Sequence, residues 1–269
     1  MLLNLKEGEY LGQDLKSHGN GFFNLSITNY EPYDEVSKHY HDNSYLSILT
    51  KGKYIEKANH NLFAAVVPGE ILFRPASYVH ENLFEDNGGT CFNIEFKSEW
   101  FRYFDTKLAL PANFTQYKPG YFPSLYKLLI NFQQDYQEDS AMEFIADWLF
   151  QVNEKNVYTK SQPWLENVSR ILENELDEFH SLQALAGRVF VHPVYLARAF
   201  KEKTGLTIGE YQLKAKLSNA LSLLLNTTLS LSEISAKNGF FDDAHFVRSF
   251  KKVYKISPHQ FRLSTRKLI

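Results

Sequence analysis

The chain has 269 residues, enough for two domains of ordinary size, and its 44% hydrophobic content can fill a core in each. Its single cysteine, Cys91, excludes an internal disulfide and a cysteine-rich metal site. No apolar run reaches the roughly 20 residues of a membrane helix, and the N-terminus lacks the pattern of a secretory signal, so a cytoplasmic protein with no membrane partner is expected.

The net charge of −2 conceals an asymmetry: residues 1–179 carry 15 Lys and Arg against 26 Asp and Glu, whereas residues 180–269 carry 14 against 5. A basic last third suits a polyanion partner, although a solvated helical surface would look the same by charge alone.

Residues 1–20 read as a loosely held arm. From Gly21 to Phe96, runs such as Tyr45–Thr50, Leu62–Val67, Ile71–Phe73 and Cys91–Phe96 have strand composition. Turn residues at Lys51-Gly52-Lys53, Pro68-Gly69-Glu70 and Asn87-Gly88-Gly89 break them, which suggests a small β-barrel or sandwich. Past Tyr121 the period becomes helical. Leu125, Leu128, Leu129 and Phe132 form one stripe and Phe144, Ile145, Trp148 and Leu149 another, with Glu138-Asp139-Ser140 between them. These stripes exceed what a linker needs and point to a dimer interface. Asn153 to Pro163 is the candidate linker, and Trp164 opens a helical domain.

Three helix starts in that domain match a capping box: Thr207 with Glu210, Ser230 with Glu233, and Ser257 with Gln260. There is also an internal repeat. Leu182-Gln183-Ala184-Leu185-Ala186-Gly187-Arg188 returns 49 residues on as Leu231 to Lys237. Tyr195-Leu196-Ala197-Arg198-Ala199-Phe200-Lys201 returns 50 residues on as His245 to Lys251, so the intervening turn gains one residue. Two helices joined by a short turn, repeated, are what two helix-turn-helix units would give.

In each second helix Leu196 and Phe200, or Phe246 and Phe250, fall on a core face. Arg198 and Arg248 fall off that face and suit the O6 and N7 edge of guanine, while Lys201 and Lys251 suit phosphates. An isolated arginine would more often be a surface ion pair. Two at equivalent places in a basic repeat favour DNA. Thr207 to Leu225 reads as one connecting helix with a Leu213, Leu217, Leu221 and Leu224 stripe. It would be roughly 27 Å long, a spacer holding the recognition helices about one DNA turn apart.

These residues resemble the DNA-binding domain of the AraC-type (arabinose-regulator) family over about residues 165–265. The second unit carries the match in Glu233-Ile234, Asn238-Gly239-Phe240, Phe246 to Lys251, Ser257-Pro258 and Phe261-Arg262. The first carries it in Tyr195-Leu196, Phe200-Lys201, Thr204-Gly205 and Tyr211. The resemblance implies base contacts from Val194, Ala197 and Arg198 in the first unit and from Asp243, Ala244, Val247 and Arg248 in the second. Lys216 stands where the family usually has Arg. Lys255 stands where a Gly usually ends the last recognition helix, so a different turn is expected after Tyr254.

In the N-terminal half His39-Tyr40-His41, Tyr45 and Gly52 are similar to a first cupin motif, and Gly69, Pro75 and His80 to a second. That likeness implies a cupin-like sensor barrel. Tyr45 holds the place of the glutamate that metal-binding cupins use, so neither a metal nor another cofactor is expected. His39, His41, Tyr45, Tyr54, Arg74 and His80 are the candidate ligand residues of a small-molecule site.

The combined expectation is an α+β protein with no catalytic residues. Residues 1–120 would form a cupin-like sensor barrel, 121–160 a helical dimerisation and linker segment, and 161–269 an all-α domain with two helix-turn-helix motifs. It would be a homodimeric transcription regulator of double-stranded operator DNA under a small-molecule effector. The alternatives are a metal-dependent cupin enzyme fused to a DNA-binding domain, and a constitutive DNA binder whose barrel only dimerises.

Overall fold

The strand-forming runs pair into one mixed sheet of nine strands. They are β1 (Leu3–Leu5), β2 (Gln13–Gly19), β3 (Phe23–Tyr30), β4 (Glu35–His41), β5 (Tyr45–Ala58), β6 (Leu62–Val66), β7 (Ile71–Arg74), β8 (His80–Phe96) and β9 (Thr115–Tyr117). The order is β1-β4-β8-β5-β7-β9, with β3 also on β8, β2 on β3 and β6 on β5. This is a computed structural model. It describes residues 2–58, 62–99, 109–154 and 163–266, and the chain divides into two units, Met1–Glu154 with Arg262–Ile269, and Lys155–Phe261.

Two sequence expectations fail in the sheet for one reason. Lys51-Gly52-Lys53 and Asn87-Gly88-Gly89 are not turns: β5 and β8 run straight through them and pair with each other along most of their length. Gly52 has φ +79°, and a Cβ there would lie 1.8 Å from the Gly88 carbonyl oxygen. The ladder slips register on both sides of Gly52, so these glycines are bulges at which two backbones meet and the sheet curls. The N-terminal arm is not loose either. β1 pairs in parallel with β4, and β2 pairs antiparallel with β3.

The two helical stripes form α1 (Pro123–Gln133) and α2 (Glu138–Glu154). Their apolar faces are used inside this unit. Trp148 is fully buried, with its ring centroid 6.2 Å from Phe73 and 5.4 Å from Phe96, while Phe132 lies 5.6 Å from Phe92. Leu125, Leu128, Leu129, Ile145 and Leu149 are buried with them, and only Phe144 is half-buried. The surplus apolar area that suggested a dimer interface is thus the lid on the curled sheet, at about 1.5–3 kcal/mol per buried side chain. The candidate linker lies mostly in 155–162, outside the described residues.

The second unit holds α3 (Pro163–Asn174), α4 (Leu182–Arg188), α5 (Pro193–Thr204), α6 (Ile208–Asn226), α7 (Leu231–Lys237), α8 (Asp243–Tyr254) and the start of α9 (Pro258–Arg266). The boxes at Thr207 and Ser230 are closed in both directions, and Ser257 and Gln260 exchange the same pair of bonds. α3 packs on the first repeat through Leu165, Val168 and Leu172, against Leu185, Leu196 and Phe200. On α6, Leu217, Leu221 and Leu224 are buried as expected but Leu213 is only half-buried. Gln212 takes the buried place, and its amide donates to the Glu178 carbonyl at 3.0 Å.

Among the described residues no helix is long and apolar enough to cross a membrane.

Candidate DNA interface and buried polar cluster

The two repeats build the same turn. In the first, Phe190 N–H donates to Gly187 O and Val191 N–H to Ala186 O; in the second, Gly239 N–H donates to Ala236 O and Phe240 N–H to Ser235 O. The left-handed position of this turn holds Gly239 at φ 58° in one unit and Phe190 at φ 56° in the other. Glycine takes that conformation freely, whereas a large side chain is strained there by about 1–3 kcal/mol. The added residue of the second turn is Phe241, and both phenylalanines are over nine-tenths exposed.

The recognition helices α5 and α8 begin differently but end alike. Pro193 opens α5 behind the His192 ring, whereas the Asp242 carboxylate caps α8 by accepting from His245 N–H. α5 ends on Gly205 at φ 72°, whose N–H donates to Lys201 O. α8 ends on Lys255 at φ 65°, whose N–H donates to Lys251 O. The turn after Tyr254 is therefore the usual left-handed one, contrary to expectation. A lysine adopts it at a cost of about 1 kcal/mol relative to glycine.

Burial follows the repeat. Leu196, Phe200, Phe246 and Phe250 are each 0% exposed. Val194, Arg198, Lys201, Asp243, Ala244, Arg248 and Lys251 are exposed, with Ala197 and Val247 half-exposed. Val194 and Arg198 are four apart, as are Ala244 and Arg248, and Asp243 and Val247, so each set shares one face opposite the core. Neither arginine has an ion-pair or hydrogen-bond partner among the described residues, so neither is held in a surface ion pair there.

The second turn is fixed from outside. A Cβ on Gly239 would lie 2.7 Å from Leu176 O and from Asp177 Cα. Lys216 Nζ donates to Gly239 O at 2.6 Å, and Asn219 Nδ2 to Asn238 Oδ1 at 2.9 Å. A single ammonium proton makes this contact, so a lysine in the family's arginine position serves it.

In the first unit all six candidate ligand residues converge, each at most 5% exposed. The ladders explain it: His39 lies across from His80, Tyr45 from Arg74, and Glu56 from Asn82. His39 Nδ1 donates to Ser37 O at 2.8 Å and His80 Nδ1 to Tyr78 O at 3.2 Å. That leaves His80 Nε2 as the acceptor for the Tyr45 hydroxyl at 3.0 Å. Arg74 is bidentate on Glu56 at 2.8 and 2.6 Å and also donates to the Tyr54 hydroxyl at 3.0 Å. Asn82 Nδ2 donates to the same carboxylate at 2.6 Å.

Glu56 and Asn82 escaped the sequence reading. Glu56 follows Tyr54 by two residues and so shares its inward face, a signal that its charge obscured. The ligand atoms of His39, His41 and His80 lie within 4.8 Å of one another, a set that suits a transition metal, and the Tyr45 hydroxyl is bonded to one of them, His80 Nε2.

Burial holds all three imidazoles below their ordinary range, and His41 is lowered to about 2 with neighbouring His39 and His80 adding to the effect. In the unfolded chain each protonates near about 6.5. The stability they confer is therefore complete above that pH and is lost as pH falls below it, because only the unfolded state takes up protons. Melting curves from pH 7.5 to 5 should show the first unit losing stability with acid. His41→Gln should reduce that slope by up to about 1.4 kcal/mol per pH unit; an unchanged slope would contradict a neutral His41.

A family model described as a helix-turn-helix domain matches residues 185–264. The "Probable transcription factor PqrA" of Proteus vulgaris is 31% identical over 108 residues, 40% of this chain and 84% of that protein. The Msm operon regulatory protein of Streptococcus mutans is 31% identical over 114 residues, 42% of this chain but only 40% of that protein. This chain thus spans less than half the length of several regulators it matches. Fatty-acid-bound ToxT from Vibrio cholerae covers 92% of this chain and 97% of its own at 13% identity and a TM-score of 0.41. With 84% of PqrA covered at 31% identity and the repeat built as described, the chain belongs to the AraC-type family of helix-turn-helix transcription regulators.

Proposed function

We propose that this protein is a sequence-specific DNA-binding transcription regulator, with α5 and α8 as its recognition helices. The observation that carries this is the pair of exposed arginines, unpartnered among the described residues, at equivalent places in two repeated units. Arg198 and Arg248 read base edges together with Val194, Ala197, Asp243, Ala244 and Val247, while Lys201 and Lys251 hold phosphates. α6, about 28 Å long at 1.5 Å per residue, sets the spacing. Replacing Lys201 or Lys251 by Ala should weaken binding nearly equally on all duplexes and reduce the salt dependence by about one counterion each. A sequence-dependent loss with an unchanged salt slope would contradict the phosphate role.

The first unit is the regulatory half in this reading, and a cytoplasmic location follows from the role. His39, His41, Tyr45, Tyr54 and Arg74 line a chamber with about 20 Å³ open to the centre of a water molecule, and His80 is tied to it through the Tyr45 hydroxyl. That is space for about one water, against the roughly 300–1,000 Å³ of ordinary ligand sites. An effector of usual size can enter only if the cluster opens, which ties occupancy to conformation. The Tyr10 hydroxyl, buried at this chamber without a protein partner, is a group that such a ligand would satisfy. A homodimer, also proposed, has to use a face other than the buried α1 and α2 stripes.

A further inference from the structure

The two recognition helices differ at their first residue. Pro193 opens α5, and an acid, Asp243, opens α8. A carboxylate at a DNA-facing helix start is repelled by phosphates and by the acceptor edges of guanine and thymine, so it weakens binding unless a base amino group meets it. Asp243 is not the cap of its helix, since Asp242 fills that place. Its side chain is instead tied back to the preceding helix, where the Ser232 hydroxyl on α7 donates to Asp243 Oδ2. That bond restrains the rotamer, and Oδ1 of this exposed side chain remains able to accept another bond. The first repeat has Gln183 and Pro193 at the two equivalent positions, so the device exists in one unit only.

We propose that Asp243, positioned by Ser232, is a specificity-determining residue of the second unit that accepts a hydrogen bond from the exocyclic amino group of a cytosine in the major groove. The inference rests on the DNA-binding reading above. It makes the operator asymmetric: the second half-site carries a cytosine that the first does not require. Asp243 and Val247 lie one turn apart beside Ala244 and Arg248, so this cytosine falls next to the base pair read by Arg248. Ser232 acts through Asp243 and touches no base itself.

The test is selection of duplexes from a randomised pool by the full-length protein, repeated with Asp243→Ala, Asp243→Asn and Ser232→Ala. The wild type should enrich a cytosine at one position of the second half-site. Asp243→Ala should lose that preference while keeping all others, and should bind a non-cognate duplex as well as the wild type or better, because a repulsive charge is gone. Asp243→Asn should move the preference toward adenine, whose N6 and N7 an amide can bridge. Ser232→Ala should keep cytosine but reduce its discrimination several-fold. If Asp243→Ala enriches the same cytosine as the wild type, the inference is overturned and the DNA-binding reading stands. If the wild type enriches no sequence at all, both fall.

Discussion

Glu56→Ala should destabilise the first unit by about 3–5 kcal/mol, the expected loss when one partner of a buried ion pair is removed. Glu56 is 0% exposed and Arg74 2%, and the carboxylate takes two bonds from the guanidinium and one from Asn82. The substitution leaves a guanidinium buried with the Tyr54 hydroxyl as its remaining partner in this network. Replacing both charges should cost less, because an apolar pair of similar volume needs no compensating charge; Glu56→Leu with Arg74→Met should recover much of the loss. Denaturant melting of the full chain checks this, with the transition of the second unit as an internal reference. A Glu56→Ala loss below about 1 kcal/mol would mean that water reaches the cluster and that the chamber is not closed.

Gly239→Ala should cost about 2–4 kcal/mol in the second unit. Of this, about 1 kcal/mol comes from forcing alanine into the left-handed region. The remainder is the cost of overpacking, about 1–3 kcal/mol. The new methyl meets Leu176 O and Asp177 Cα at 2.7 Å, and both are backbone atoms that cannot swing aside. Gly205→Ala is the matched control. Gly205 has a similar φ of 72° but open space around it, so it should lose only the conformational part. Equal losses at the two sites would show that the contact with residues 176–177 is not tight. Because Lys216 and Asn219 grip the same turn, Gly239→Ala should also weaken the second half-site more than the first.

Those expectations come from very different depths of legibility. The repeat and its caps were readable because their signals are local: a hydroxyl and a carboxylate three residues apart, or a phenylalanine one helical turn from a leucine. The end of α8 is not legible in the sequence, because propensity gives a cost and not a prohibition. Lys255 takes the left-handed cap, as Phe190 takes the turn, since the packing of the rest of the unit outweighs a strain of about 1–3 kcal/mol. The curled sheet was harder to read. Gly52 and Gly88 carry the same composition whether they form a turn or a bulge, and only the approach of β5 to β8, more than 30 residues apart in sequence, decides between them. Glu56 was missed for a related reason: its buried partner, Arg74, is brought to it by sheet pairing and not by sequence spacing. The helical stripes of α1 and α2 were legible as apolar faces, but what they cover is a tertiary fact.

The most direct measurement of the central claim is selection of operators from randomised duplexes by the wild type, Arg198→Ala and Arg248→Ala. Each arginine should contribute about 1–3 kcal/mol on the selected site, and each truncation should relax preference at one or two base pairs, at different positions for the two variants. Since the turns at Gly205 and Lys255 are alike, the two losses should be comparable. If both variants select the wild-type consensus unchanged, these arginines do not read bases and the assignment of α5 and α8 as recognition helices is wrong.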